Sequence, residues 1–205
     1  MEQQKYVITI TRQFGSMGRP IAQKMSEKLG IEFYDRDIVE HTAKTLNLPV
    51  STIHEIEESA VKVRKNAFSR MAFPLGKGTT EMQDQIFLTQ EKIIKNFIEK
   101  ESCIVVGRCA DFILSEEPNS VHIYIYAPYE ARIKNCIEKL NLDEDEAKRM
   151  IQEVDEARDS YHLNYAGYKP DNKLFKHILV DSSFLDVEGT ADYLVSAIKS
   201  KFQLI

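Results

Sequence analysis

The sequence predicts a three-layer α/β/α fold in which a five-stranded parallel sheet lies between helices. Short runs rich in β-branched and aromatic residues alternate with longer segments of helical periodicity, which is typical of strands joined by helical crossovers. The runs CIVV at 103–106 and ILV at 178–180 are apolar throughout, as expected where helices cover both faces of a sheet. We therefore expect these two strands to be central.

The predicted elements follow one another in a regular order. Strands are indicated at residues 6–11, 32–34, 103–106, 121–126 and 177–181. Helices are indicated at residues 20–29, 36–46, 52–68, 81–100, 129–140, 144–163 and 186–202. Two helix starts have a local cause, because Thr80 with Gln83, and Asp143 with Glu146, have the spacing of a capping box. Gly30 is placed to end the first helix.

The crossover between the second and third strands is unusually long. We expect it to hold a helical insertion at about 47–100. Within it, the segment FPLGKGTT at 73–80 contains one proline and two glycines, which indicates a hinge or a mobile loop.

Composition limits the class of protein. A chain of 205 residues is expected to form one domain over 1–205. Its hydrophobic content of 43% and charged content of 29% argue against disorder. The net charge of −5 disfavours nucleic acid or a membrane surface as the main partner. There is no charged and apolar leader, so we expect a cytoplasmic protein. The sequence does not determine the oligomeric state.

The segment RQFGSMG at 12–18 follows the first strand, at the edge of the sheet where α/β proteins bind ligands. In such a loop, backbone N–H groups and the positive end of a helix dipole surround an oxyanion. Gly15 and Gly18 allow the chain to curl closely, and we expect the N–H groups of Ser16, Met17 and Arg19 to point inward. The same strand, turn and helix also occur as a purely structural unit.

The loop only partly matches the phosphate-binding pattern G-x-x-x-x-G-K-[ST]. If Gly18 is the second glycine, then Arg19 stands in place of the lysine. Pro20 then replaces the Ser/Thr, and Gln13 replaces the first glycine. The cation is therefore kept, the magnesium-binding hydroxyl is lost, and Arg12 adds a second cation nearby.

Three motifs in this order carry a resemblance to a known family: TRQFGSMGRPIAQKMSEKLGIEFYDRDIV, CIVVGRCADFIL and VDEARDSYHLNY. The chain resembles the cytidylate-kinase-like branch of the P-loop nucleoside monophosphate kinases over nearly its whole length. The resemblance implies a P-loop kinase-type fold with a helical lid at about 141–170. It also implies an ATP-dependent phosphotransferase that uses Mg²⁺ and acts on a nucleotide or another small phosphorylated or hydroxylated molecule.

The resemblance gives the motif residues expected roles. Nucleotide binding would fall to the loop residues Arg12, Gly15, Ser16, Met17, Gly18 and Arg19. Catalysis would fall to Arg19, Asp35, Arg108 and Arg158. Acceptor binding would fall to Asp35, Arg36, Arg108 and Asp111. The candidate metal ligands are Ser16 and Asp35, and coordination through water and the triphosphate is the third possibility.

Structural interpretations stay open beside these roles. Asp35 could cap the following helix, Arg108 could pair with Asp111, and Arg158 could pair with Asp155 along its own helix. The tyrosines at 161, 165 and 168 could stack a nucleobase, but a packed aromatic stripe is the favoured interpretation.

Two departures from the family weaken the case for catalysis. Glycine is usual at the position of Met17, and we expect this side chain to crowd the phosphates. An Arg-Asp pair of the family's lid falls on Ile151 and Gln152. The alternative function is therefore a non-catalytic protein that binds a nucleotide or phosphorylated metabolite through a degenerate loop. A nucleic-acid or protein-binding role for the basic residues of the insertion is a more remote hypothesis.

Overall fold

Strands and helices alternate in the predicted order. The computed structural model describes residues 5–53, 56 and 80–204. The strands are β1 (Val7–Arg12), β2 (Glu32–Tyr34), β3 (Cys103–Val106), β4 (Ser120–Tyr126) and β5 (Ile178–Asp181). The helices are α1 (Gly18–Leu29), α2 (Arg36–Leu46), α3 (Glu81–Lys100), α4 (Ala110–Ile113), α5 (Tyr129–Leu140), α6 (Glu144–Ala166) and α7 (Asp186–Phe202).

Some predicted segments lie outside the described residues. Residues 50–53 and 56 are helical, but the remainder of the predicted helix at 52–68 is outside them. The same holds for residues 73–79 of the predicted hinge and for the basic residues of the insertion. The sequence did not predict α4 or the short 3₁₀ turn at Lys173–Phe175, because elements of one turn show no helical periodicity.

The five strands form one parallel sheet in the order β2-β3-β1-β4-β5, which confirms the predicted fold class. The expected central position is correct for β3 and wrong for β5, which lies at the edge. Ile178 and Val180 pack against the core, whereas Leu179 between them is 40% exposed. The apolar run at β5 is therefore packed on one face only, and its composition did not indicate a central strand.

Helices cover both faces of the sheet. On one face, Ile8 and Ile10 of β1 pack with residues of α1 and α7, among them Met25 and Leu194. On the other face, Val7 packs with α2 and α3. Alternation of side chains along β1 thus feeds two separate cores, and this three-layer packing fixes the loops at the carboxyl edge of the sheet.

The helix ends agree with the local signals. Thr80 and Gln83 form the predicted capping box, and the Asp143 carboxylate accepts a hydrogen bond from the N–H of Glu146. The first helix ends at Gly30, which has a φ of 63°. Helix α5 packs on α6 around Ile133 and Ile151, with Phe14 of the first loop against them. No helix among the described residues is long and apolar enough to cross a membrane.

Candidate functional site

Side chains from distant segments bind the carbonyl oxygens of the loop between β1 and α1. The donors come from α5, from α6 and from the loop after β5. The pairs are Arg158 Nη1 with Arg12 O at 3.2 Å, Arg132 Nη1 with Phe14 O at 3.3 Å, Asn135 Nδ2 with Gly15 O at 2.8 Å and Ser182 Oγ with Ser16 O at 2.7 Å. The carbonyl side of the loop is therefore turned toward protein.

Most N–H groups of the loop are left available. Within the described part of the chain, the N–H groups of Gly15, Met17, Gly18 and Arg19 donate no hydrogen bond. The N–H of Ser16, in contrast, donates to Gln13 O at 3.4 Å. Unsatisfied N–H groups at a helix N-terminus attract anions, because the helix dipole adds to their partial charges. The loop is thus suited to bind an oxyanion.

Both loop glycines are required by close contacts. Gly15 has a φ of +75°, and an added Cβ would lie 2.9 Å from the carbonyl oxygen of Arg132. At Gly18, an added Cβ would lie 2.7 Å from Cβ of Arg12. Gly18 therefore provides the room in which the stem of Arg12 crosses the start of α1.

Met17 adopts the left-handed conformation, with φ 57° and ψ 19°, immediately before α1. Its side chain is partly buried and packs against the core shared by β1, α1 and α7. The expectation that this side chain crowds the phosphates thus loses its basis. The effect of a non-glycine residue at this position is therefore backbone strain, and not a side chain that blocks the phosphate site.

Asp35 joins two arginines at the carboxyl edge of the sheet. Its carboxylate is 6% exposed and makes no capping hydrogen bond to α2. Instead, Oδ2 lies 2.7 Å from Nε of Arg19, and Oδ1 lies 3.6 Å from Nη2 of Arg12. The geometry therefore favours a site role for Asp35 over helix capping.

The loop after β3 contributes to the same place. Gly107 has a φ of +77°, and an added Cβ would lie only 2.5 Å from Nη1 of Arg12. Arg108 follows it in the left-handed conformation, with a φ of 57°. The strain at Arg108 and the space at Gly107 together bring this loop against the guanidinium of Arg12.

Arg12, Arg19, Arg108 and Arg158 form a cluster of positive charge. Burial lowers the pKa of Arg12 well below its usual value, and the charges of Arg158, Arg108 and Arg19 lower it further, against the effect of Asp35. Burial likewise lowers the pKa of Arg158, and the charge of Arg108 lowers it further, against the effects of Asp155 and Asp35. Guanidinium groups stay protonated in proteins, so these shifts express chiefly the burial of two charged groups, with the neighbouring arginines adding to it, and a bound anion would offset both effects.

The two candidate metal ligands differ in their surroundings. Ser16 is fully buried, and its hydroxyl lies 2.9 Å from Gln13 O and 3.2 Å from Ile125 O. This geometry gives Ser16 a structural role and disfavours it as a magnesium ligand. Oδ1 of Asp35 is beyond hydrogen-bond distance from Arg12 and keeps lone pairs for a cation. No cluster of three or more metal-binding side chains occurs among the described residues.

Two expected acceptor-binding residues lie apart from the cluster. Asp111 is 2% exposed and accepts hydrogen bonds from His162, Tyr168 and Lys176. It faces protein rather than an open cleft, which corrects its expected role. Arg36 is exposed at the first residue of α2, and no contact brings it to the other arginines within the described residues.

Helix α6 contacts the loop directly. The N–H of Phe14 donates to Oδ1 of Asp155 at 2.7 Å, and Oδ2 of the same carboxylate pairs with Arg132. Arg158 therefore does not form the ion pair with Asp155 that an isolated helix would allow. A cavity of about 570 Å³ opens beside this contact, between Tyr129 of α5 and Gln152 of α6.

The tyrosines of α6 form packed aromatic contacts. Tyr165 stacks on Phe87 with ring centroids 4.1 Å apart, and Tyr161 lies 5.0 Å from Tyr165. Tyr168, beyond the end of α6, stacks on Phe175 at 3.8 Å. The three cysteines at 103, 109 and 136 are free and buried.

Several residues that shape the site were not identified from the sequence. They are Gly107, Arg132, Asn135 and Ser182. Gly107 lies inside the motif that drew attention to Arg108, and Ser182 follows the last strand, so position at the sheet edge was a usable signal. Arg132 and Asn135 act on main-chain atoms of the loop, and helical periodicity does not indicate such contacts.

The parallel sheet, its strand order and the glycine-containing loop between β1 and α1 define a P-loop kinase fold. Solved structures agree with this class. An uncharacterized protein from Eubacterium ventriosum ATCC 27560 is 26% identical with a TM-score of 0.67, covering 96% of this chain and 99% of that one. The chain belongs to the cytidylate kinase-like family, whose model matches residues 7–184.

Two more distant structures share the fold alone. Shikimate kinase from Acinetobacter baumannii in complex with shikimate is 11% identical with a TM-score of 0.53, covering 97% of this chain and 96% of that one. A gluconokinase from Sinorhizobium meliloti 1021 is 11% identical with a TM-score of 0.50, covering 97% and 99%. No curated protein matches the chain in sequence.

Proposed function

We propose that this protein is an ATP-dependent phosphotransferase that acts on a nucleoside monophosphate or a similar small phosphorylated or hydroxylated acceptor. One observation carries the proposal: available N–H groups of the first loop lie beside a cluster of arginines that contains one ion-paired carboxylate, Asp35. Phosphoryl transfer needs alignment of oxygens and neutralisation of spreading charge more than it needs a protein nucleophile. The cluster supplies both requirements.

The donor triphosphate would bind across the loop. The N–H groups of Gly15, Met17, Gly18 and Arg19 would contact its oxygens. Arg12 and Arg158 flank the loop from β1 and α6 and would neutralise the terminal phosphates. The cavity between Tyr129 and Gln152 has room for the nucleoside of the donor.

Charge favours a phosphate acceptor over a hydroxyl acceptor. A hydroxyl group needs a base to remove its proton, whereas a phosphate oxygen is already ionised. Asp35 is the candidate base, but it is ion-paired with Arg19 and Arg12. Arg108 would hold the acceptor phosphate through its planar fork, and Arg36 would contribute after movement of the start of α2. A nucleoside monophosphate fits this cationic site.

Magnesium fits the site only together with the triphosphate. Mg²⁺ prefers oxygen ligands and keeps several waters in nucleotide sites. Asp35 Oδ1 is the protein oxygen available for it, directly or through water. Bound Mg²⁺ would neutralise charge on the phosphates, and the arginines would orient the same oxygens.

Helix α6 would act as the lid, within a lid segment at about 141–170 of a single domain spanning 1–205. Its Asp155 and Arg158 contact the main chain of the loop, so closure brings cations onto the phosphates and excludes water. The helical insertion at about 47–100 would cover the acceptor.

We place the activity in the cytoplasm, with small molecules as the only partners required.

Turnover of ATP with a panel of acceptors tests the proposal. Purified protein with ATP and Mg²⁺ should form ADP that depends on one of CMP, dCMP, UMP or another nucleoside monophosphate. Shikimate and gluconate represent hydroxyl acceptors and should be poor. Stabilisation by nucleotides without ADP formation from any acceptor would instead support the non-catalytic binding protein.

Removal of Arg108 tests the acceptor site. The Arg108→Ala variant should raise the acceptor KM by about 10-fold or more, with a smaller effect on the KM for ATP, because a bidentate arginine–phosphate contact is lost. Lys134→Ala is the matched control, since Lys134 is an exposed cation of α5. Equal kinetics of wild type and the Arg108 variant would remove Arg108 from the site.

A further inference from the structure

A buried polar cluster joins the loop after β3 to the C-terminal part of α6. Asp111 of α4 accepts hydrogen bonds from His162 of α6, from Tyr168 and from Lys176, which lies just before β5. The side chains of Asp111, His162 and Lys176 are 1%, 4% and 0% exposed. Three segments that are distant in sequence are therefore tied together in the interior.

Both ring nitrogens of His162 face oxygen atoms at hydrogen-bond distance. Nε2 lies 3.0 Å and 3.1 Å from the two carboxylate oxygens of Asp111, and Nδ1 lies 2.9 Å from the carbonyl oxygen of Tyr168. Both neighbours are oxygen acceptors, so each can take part in a hydrogen bond that holds the ring. The ring orientation is thereby fixed by two opposed hydrogen bonds.

The buried polar cluster lies on the same two chain segments as two arginines of the candidate site. His162 follows Arg158 by one turn of α6, and Asp111 follows Arg108 by three residues. Arg158 and Arg108 lie close enough for the charge of Arg108 to lower the pKa of Arg158. The contact between Asp111 and His162 is thus a buried connection between the two segments that carry these guanidinium groups.

We infer that Asp111 and His162 are positioning residues, whose buried hydrogen-bonded contact holds Arg158 of α6 and Arg108 in the relative placement that lets both bind one polyphosphate. Lys176 pairs with the same Asp111 carboxylate from a third segment. It thereby connects Asp111 to the edge strand β5. The inference rests on the proposed function, because it assigns Arg108 and Arg158 to a common anion.

A purely stabilising role explains the cluster less well. Ionic groups removed from water repay little of their desolvation cost, and apolar side chains of the same size often stabilise a core as well or better. What a buried ion pair fixes is geometry, through charge and directed hydrogen bonds. Hydrogen bonds and charge from His162 and Lys176 keep the pKa of Asp111 below its usual value, although burial alone would raise it.

Binding of inorganic tripolyphosphate by calorimetry tests the inference without any need for turnover. The variants are His162→Gln, which keeps a donor toward Asp111, and His162→Ala, which keeps none. We expect affinity to fall in the order wild type, His162→Gln, His162→Ala, with a loss of about 10-fold for the alanine variant, in the range of couplings between contacting residues.

A control and a double variant separate positioning from stability. Ile198→Val truncates the core in α7, away from the cluster, and should lower the Tm while tripolyphosphate affinity stays within 2-fold of wild type, within the range of independent distant sites. In an Arg158→Ala background, His162→Ala should cause less than about 2-fold further loss, because its effect acts through Arg158.

Each contrary outcome has a distinct meaning. Full additivity of the His162 and Arg158 substitutions, or unchanged affinity of a folded His162→Ala protein, would overturn the inference. Absence of tripolyphosphate binding by wild type would overturn the anion site and the inference with it. Binding with the expected coupling but no ADP formation from any acceptor would reject the phosphotransferase alone.

Discussion

The Nε atom of Arg19 lies 2.7 Å from Oδ2 of Asp35, and this contact links the first turn of α1 to the start of α2. The other oxygen of the same carboxylate faces Arg12 at 3.6 Å. One buried acid therefore restrains two cations that flank the loop. The carboxylate of Asp35 also offsets part of the positive charge of the arginines. A change at this one residue should therefore alter the affinity of the site for a polyphosphate.

Replacement of Asp35 by Asn should separate binding from turnover. The change removes one negative charge from the cluster and keeps the size of the side chain. We expect tripolyphosphate to bind about 3- to 10-fold more tightly at low salt, because its attraction to the site rises by one unit of charge. Phosphoryl transfer should fall by about 10-fold or more, since the guanidinium of Arg19 loses its fixed orientation.

Asp37→Asn is the matched control for that change. Asp37 lies exposed in the first turn of α2 and belongs to none of the ion pairs of the described residues. Its replacement should leave both quantities near wild type. Weaker tripolyphosphate binding by Asp35→Asn would mean that the carboxylate acts chiefly to hold the arginines in place.

Gly107 gives a prediction with an internal reference. Gly107→Ala places a methyl group 2.5 Å from Nη1 of Arg12, in addition to the strain of a φ of +77°. Gly167 has a similar φ of +79°, but nothing lies within 4 Å of an added Cβ. Both alanine variants should lose about 1 kcal/mol of unfolding free energy through backbone strain.

Only the variant at Gly107 should also weaken ATP binding, by about 10-fold, because Arg12 must leave its place beside the loop. Chemical denaturation and ATP titration of the two variants measure these effects. Equal ATP affinity in the two proteins would show that the placement of Arg12 does not contribute to binding.

The sequence was informative where a residue's role follows from the periodicity of strands and helices or from its position at the end of a strand. Strand and helix periodicity predicted the three layers, and residues at the ends of β1, β2 and β3 gave Arg12, Asp35 and Arg108 of the cluster. It was uninformative where a role depends on tertiary contacts. The resemblance assigned Asp111 to the acceptor, yet Asp111 of α4 contacts His162 in the interior.

We predict that the free energy of unfolding decreases in mild acid because of His122. It lies in β4, 6% exposed, with Nδ1 2.8 Å from Oγ1 of Thr9 and Nε2 3.2 Å from Oγ of Ser120. Burial, and then the nearby charge of His177, lower the pKa of His122 from 6.5 to about 4. His122 is therefore protonated less readily in the folded protein than in the unfolded chain. Its contribution to the free energy of unfolding is complete above pH 6.5 and is lost as the pH falls toward 4.

Between pH 7.5 and pH 5, this single group should remove about 2 kcal/mol of unfolding free energy. His122→Gln should show a smaller loss over that interval, whereas His41→Gln, at an exposed position of α2, should behave as wild type. Urea denaturation at the two pH values measures the difference. An equal loss of unfolding free energy in the wild type and the His122 variant would show that His122 does not cause the pH dependence.

Replacement of Met17 tests whether its side chain or its backbone conformation affects triphosphate binding. A non-glycine residue in the left-handed region costs about 1 kcal/mol, and Met17→Gly removes that cost. The same change deletes a thioether that packs against the core. We therefore expect a net change in unfolding free energy within about 1 kcal/mol and an ATP affinity within about 3-fold of wild type.

Asn47→Gly is the control for Met17→Gly, because Asn47 has a φ of 54° at the end of α2 and takes no part in the loop. It should report the backbone contribution to stability without any effect on ATP. The side chain of Met17 points its bulk at the core, so its removal opens no new space at the N–H groups of the loop. ATP binding that tightens by about 10-fold or more in Met17→Gly would mean that the thioether does obstruct the phosphates, and the site would then need a movement of α1 before a triphosphate could bind.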